Sequence, residues 1–175
     1  MCKHGRVEAG DEVDAIVAAW QRERPDLDVD PVQVMSRLDR LADVLGERRA
    51  AIFAQHDLRR HEFDVLAALR RSGAPFELTA GELSAQTHVT SGTMTSRLDR
   101  LTERGLVTRA PDPVDGRLVQ VTLTPAGRAL VDAAFAALVA AERGLLDPLP
   151  AQDQQALAAT LRELLARASR AERVT

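Results

Sequence analysis

The sequence predicts a mainly α-helical protein with one small β-hairpin, and three observations carry that reading. Apolar residues make up 45% of the 175 residues but aromatics only 3%, a composition rich in Ala and Leu that favours helices over a β-sandwich. Apolar residues recur at three- and four-residue steps along most of the chain. Between Leu106 and Leu123 the period changes to that of strands, with a Pro, Asp and Gly cluster in the middle.

The elements follow in order. Val13, Ile16, Val17 and Trp20 share one face of a helix over about 11–23, which stops before Pro25. Asp30 as N-cap and Pro31 at the first helical position open a second helix over about 31–55, with Val34, Leu38, Leu41 and Leu45 on one side. Phe63, Leu66 and Leu69 mark a third helix, His61 to Ser72, ended by the breaker cluster Ser72-Gly73-Ala74-Pro75. Thr79 with Glu82 three residues on is a capping box for the short helix AGELSAQ. Val89 and Thr90 lead into SGTMTSRLDRL, which stops at Gly105. Leu106–Arg109 and Leu118–Leu123 are strand-prone, and APDPVDGR suits a hairpin tip. Thr124-Pro125 opens a long helix with Leu130, Ala134, Leu138, Ala141 and Leu145 on one face, and a last helix after Pro150 carries Leu157, Leu161, Leu164 and Leu165.

Charge and composition bound the function. No run of about 18 apolar residues exists, and MCKHGRVEAGDEVD lacks the hydrophobic segment of a signal peptide, so a cytoplasmic location is expected. A lone Cys2 forms no internal disulfide, in keeping with a reducing compartment. The net charge of −3 confines any DNA site to a local basic patch. GxSxG, phosphate-loop, HExxH and paired-cysteine zinc patterns are all missing, so no catalytic role, cofactor or metal is assigned.

A short capped helix, a tight turn, a second helix with a polar outer face and then a hairpin with a charged tip is the order of a winged helix-turn-helix. Met94, Leu98 and Leu101 seat the second helix on the core. Its start, Thr90, Ser91, Gly92, Thr93, Thr95 and Ser96, is small enough to enter a major groove about 12 Å wide, and its N-terminal N–H groups suit a phosphate. Arg100, Arg104 and Arg117 can neutralise phosphates, Arg117 from the hairpin tip. A solvated surface helix is the plain alternative for a Ser/Thr-rich stretch alone; the ordered combination with turn and wing favours DNA.

The stretch LTAGELSAQTHVTSGTMTSRLDRLTERGLV, followed by APDPVDGRLVQVTLTPAGRALV, resembles the MarR family of bacterial transcription regulators. The resemblance rests on Asp115-Gly116-Arg117 and on Leu123-Thr124-Pro125-Ala126-Gly127, and extends through the flanking helices. It implies N-terminal helices over 1–55, a winged helix-turn-helix domain over 56–125 and C-terminal dimerisation helices over 126–175. It also implies a homodimer that represses from a pseudopalindromic site in double-stranded DNA, with recognition helices about 34 Å apart. Where many members have a basic residue early in the recognition helix, this chain has Ser91 and Gly92, so specificity is expected to lean on Thr93, Thr95, Ser96 and DNA shape.

Family members of this kind are commonly released from DNA by a small anionic aromatic molecule or an oxidant. Arg97 lies only about 60° round the helix from Met94, at the edge of the buried stripe, where a charge needs a partner. Trp20, Asp64, Arg97 and Arg109 resemble the ligand set of the urate-responsive subgroup, which also has an extra N-terminal helix bearing a tryptophan. The resemblance implies that Trp20 and Arg97 hold a planar anion, urate or a related purine, whose charge disturbs an Asp64–Arg109 pair. The structural alternative has Trp20 as a dimer anchor, Asp64 paired with Arg60 and Arg109 on phosphate. Cys2 as an oxidation switch, another anion as effector and a helical interaction protein without DNA binding are further alternatives. His4, His56, His61 and His88 read as surface histidines, since the five-residue step from His56 to His61 does not stack two ligands on one helix face.

Overall fold

The computed structural model describes residues 10–113 and 115–171. Cys2 and His4 lie outside them. The chain divides into two compact units, Met1–Ala51 and Ile52–Thr175.

The first unit holds α1 (Glu12–Glu23) and most of α2 (Asp30–Gln55). Asp11 caps α1 in a reciprocal box with Asp14, satisfying N–H groups that the first turn leaves unpaired. Val13, Val17 and Val29 form a small apolar cluster with Val32 against it. Arg37 of α2 closes on Asp11 at 2.8 Å and on Asp14 at 2.7 Å, so the extra helix is held to α2 by charge as well as by valines. Trp20 is not in that cluster; it is 51% exposed. The second helix begins on Asp30 itself, whose N–H donates to Asp28 Oδ1 at 3.0 Å, so Asp28 does the work expected of Asp30.

The second unit contains α3 (Arg60–Arg71), β1 (Glu77–Thr79), α4 (Ala80–Thr87), α5 (Ser91–Glu103), β2 (Val107–Pro111), β3 (Val119–Leu123), α6 (Pro125–Leu146) and α7 (Ala151–Ala171). The expected two-stranded hairpin is part of a three-stranded antiparallel sheet, in the order β1-β3-β2. Leu78 of β1 faces Val121 of β3, and Val107 of β2 faces Leu123. Leu66, Leu69, Leu83, Met94, Leu98, Leu101, Val121 and Val131 are the centre of the core. Phe53, in the last turns of α2, stacks on Phe63 with ring centroids 4.2 Å apart.

The first half of α6 belongs to this core, through Gly127, Val131, Ala134 and Leu138. The core of this unit therefore continues past residue 125 into α6. Gly127 is where α6 meets the turn after α5: an added Cβ would lie 2.9 Å from Leu123 Cδ1 and closer still to the Leu106 carbonyl oxygen. Phe76, with φ of 65°, sits between the guanidinium groups of Arg70 and Arg128, 5.1 and 4.9 Å from its ring centre. Arg70 also bonds Asp132 at 2.8 Å, so the start of the sheet is fixed to both α3 and α6.

Candidate nucleic-acid interface

The second helix of the turn, α5, is positioned by its own sequence. Thr90 Oγ1 accepts the N–H of Thr93, which makes Thr90 the N-cap. His88, with φ of 53°, ends α4 in the left-handed conformation that turns the chain toward α5. Met94 is 1% exposed, Leu98 2% and Leu101 fully covered, so the inward stripe anchors the helix. Gly105, with φ of 67°, ends it.

At 3.6 residues per turn the rest of α5 divides into three stripes. Gly92, Ser96 and Glu103 face outward and are exposed. Ser96 Oγ donates to the Gly92 carbonyl at 3.3 Å and Thr95 Oγ1 to that of Ser91 at 3.0 Å, so both hydroxyl protons are satisfied within the helix while the oxygens keep lone pairs for donors on base edges.

The second stripe, Thr95, Asp99 and Thr102, runs toward the wing. Arg109 of β2 meets Asp99 at 2.8 Å, tying the first wing strand to α5. This corrects the expected pairing: Arg109 bonds Asp99, and Asp64 makes no ion pair with Arg109 or Arg60 among the described residues. Both acids lie beside apolar positions, and only the fold decides that the strand leaving Gly105 returns along α5. Asp64 and Arg97 are half-buried.

The third stripe, Thr93, Arg97, Arg100 and Arg104, runs toward the start of α3. Arg104, expected on phosphate, is instead held by the chain: its Nη2 donates to the Asp57 carbonyl at 2.8 Å and to Asp57 Oδ2 at 3.2 Å, and its Nη1 to Glu62 Oε2 at 3.5 Å. Arg100 stays half-exposed, with Nε 3.8 Å from Glu62 Oε1. His61 lies beside this stripe, and burial first, then the Arg97 guanidinium, hold its imidazole below the ordinary 6.5. Glu62 was not legible as a site residue. Nothing local in the sequence ties it to arginines about forty residues on.

At the wing tip the carboxylates order the backbone. Asp112 Oδ1 accepts the N–H of Asp115 at 2.9 Å and Asp115 Oδ1 that of Arg117 at 3.1 Å, leaving the Arg117 side chain exposed. The pair acts as a turn template that presents a cation at the tip.

A small hydroxyl-faced helix in a three-stranded winged scaffold is the geometry of a groove reader, and the sequence comparisons agree. A model described as "MarR family" matches residues 56–118. The transcriptional regulator PecS of Dickeya dadantii is 37% identical over 150 residues, spanning 86% of this chain and 90% of its own. The chain belongs to the MarR family. Its members are DNA-binding transcription regulators, and this chain shares their winged helix. Two solved structures extend the likeness. Sco5413, a MarR-family regulator from Streptomyces coelicolor, is 26% identical with a TM-score of 0.66 and covers 81% of this chain and 97% of its own. BpsR of Bordetella bronchiseptica, whose DNA binding is regulated by 6-hydroxynicotinic acid, is 30% identical with a TM-score of 0.57, covering 73% of this chain and 98% of its own.

Proposed function

We propose that this MarR-family protein is a homodimeric repressor that seats two recognition helices on a pseudopalindromic operator and is released by a small anionic aromatic ligand, urate or a related purine. Thr90, Ser91, Gly92, Thr93, Thr95 and Ser96 meet base edges and phosphates, with Arg117 and Arg100 on the backbone. Dimerisation is supported by the apolar surface that one copy leaves open: Phe135 is 55% exposed, Leu157 43% and Leu165 68%.

The observation that carries the ligand reading is that one arginine of the set lies on α5 and another is tied to it. Arg97 is part of the helix and Arg109 is bonded to it through Asp99. Trp20, Asp64, Arg97 and Arg109 remain the proposed ligand set. An anion drawn to Arg109 competes with Asp99 for it, so its charge acts directly on the recognition helix and the wing. The regulation of BpsR by a planar aromatic acid supports the same ligand class here.

A gel shift at low salt with the intergenic DNA adjoining its gene is expected to give a complex; none would sink the repressor reading. Thermal-shift titration with urate, xanthine, salicylate and aconitate tests the effector, and no shift with either purine removes the purine reading. Trp20→Ala and Arg97→Ala are expected to abolish the response while leaving DNA affinity largely intact. A thermal shift that survives both substitutions would instead place the ligand elsewhere, such as the apolar recess of about 330 Å³ between α3 and α6 rimmed by Arg70 and Arg71.

A further inference from the structure

We propose that Glu62 is a positioning residue for DNA binding, one that holds Arg100 back from phosphate until the recognition helix docks on its operator. Glu62 is the one charged residue buried among those described, at 1% exposure. Its Oε2 accepts the Arg59 N–H at 2.8 Å, closing the first turn of α3, and takes Arg104 Nη1 at 3.5 Å. Its Oε1 is buried without any hydrogen-bond partner. The carboxylate lines a recess of about 340 Å³ with Asp57, Arg59, Arg100 and Arg104.

Closing the helix turn needs only an acceptor oxygen, which a glutamine supplies equally well. The negative charge is surplus to that role, and burying it without full pairing is costly. What the charge does in this site is attract the arginines of α5. Arg104 is fixed by the Asp57 carbonyl and carboxylate as well as by Glu62. Arg100 has only Glu62 Oε1, at 3.8 Å and outside hydrogen-bond distance, and its side chain is 46% exposed. Arg100 is therefore the movable member. On random-sequence DNA, where the helix does not seat fully, it stays with Glu62; on the operator, a well-placed phosphate takes it. The buried charge lowers non-specific affinity and so widens the gap between operator and other DNA.

The test is the salt dependence of binding by the full-length dimer to random-sequence duplex DNA and to the adjoining intergenic DNA, the wild-type intergenic complex being the control that DNA is bound at all. Glu62→Gln keeps the capping acceptor and removes the charge. It is expected to bind random-sequence DNA several-fold more tightly, with a log–log salt slope steeper by about 0.9 for each Arg100 that reaches a phosphate. Arg100→Ala in the Glu62→Gln background is expected to cancel both changes. A purely structural Glu62 would alter the melting temperature but leave the slope alone. A wild-type slope and affinity for random DNA in Glu62→Gln, or a gain that persists in the double variant, overturns the proposal. Arg100→Ala alone gives a check that does not depend on Glu62→Gln folding: its slope on random DNA should equal that of wild type, and a flattening of about 0.9 per protomer would show Arg100 already on phosphate.

Discussion

Gly127→Ala is expected to destabilise the winged-helix unit by about 2 kcal/mol, although alanine is the better helix former. Three effects set the balance. The new Cβ would lie 2.9 Å from Leu123 Cδ1 and 3.0 Å from the Leu106 carbonyl carbon, with the carbonyl oxygen nearer still. Leucine can shift, but that carbonyl cannot: it accepts the Thr124 N–H at 3.1 Å and the Thr124 hydroxyl at 3.1 Å, while the same hydroxyl caps α6 through the Gly127 N–H at 3.0 Å. Overpacking of this kind costs about 1–3 kcal/mol, and loosening the Thr124 cap about 1 kcal/mol more. Replacing glycine returns at most about 1 kcal/mol of helix propensity. For a protein of this size a net loss of about 2 kcal/mol lowers Tm by roughly 4–8 °C. Circular-dichroism melting at matched protein concentration reads this, since dimer formation makes Tm concentration-dependent. An unchanged or raised Tm would mean that propensity outweighs contact and that the turn after α5 is not pinned to α6.

Two further outcomes follow from the site. His61 is held below 6.5 by burial and by Arg97, so the unfolded chain takes up a proton there before the folded one does. Its contribution to stability is complete above pH 6.5 and is lost as pH falls from 6.5 toward the depressed folded value; denaturant titrations across this window should show a fall that His61→Gln flattens, and an equal fall in the variant refutes it. Asp99→Asn breaks the ion pair between α5 and β2, whose partners are 31% and 49% exposed, so stability should change by less than about 1 kcal/mol. Operator affinity should nonetheless fall, because the wing loses its tie to the recognition helix; a gel shift indistinguishable from wild type would show that the pair does not set the wing.

The local devices of this fold were legible because each is written within four residues. Thr79 with Glu82, Thr124-Pro125 and the apolar stripe Met94, Leu98 and Leu101 predicted the short helix, the start of α6 and the inward face of α5, and all stand in the structure. The third strand was not legible, because Glu77–Thr79 is three residues long and shows no alternation of its own. The division of α6 between core and surface was not legible for a related reason. Periodicity shows a helix as continuous, but not that its first half packs under the wing while its second half stays exposed. Pairings across long sequence separations were out of reach too: Arg109 was expected on Asp64 and is bonded to Asp99, and Glu62 was not singled out at all.

The inward stripe of α5 and the three around it divide anchoring from the surface that this family turns to DNA. Its inward stripe is fixed by packing, which leaves little freedom to slide. The outward stripe consists of small groups and carries no strong charge at the end that enters a groove, so affinity must come from elsewhere. On the proposed function it comes from the flanks, and each flank is tied to a different neighbour: Asp99 to the wing through Arg109, and Arg100 and Arg104 to the start of α3 through Glu62. A ligand need not reach the DNA surface to change affinity. On the proposed function, altering either tie changes which arginines are free, an effect expected to fall on the same few phosphates.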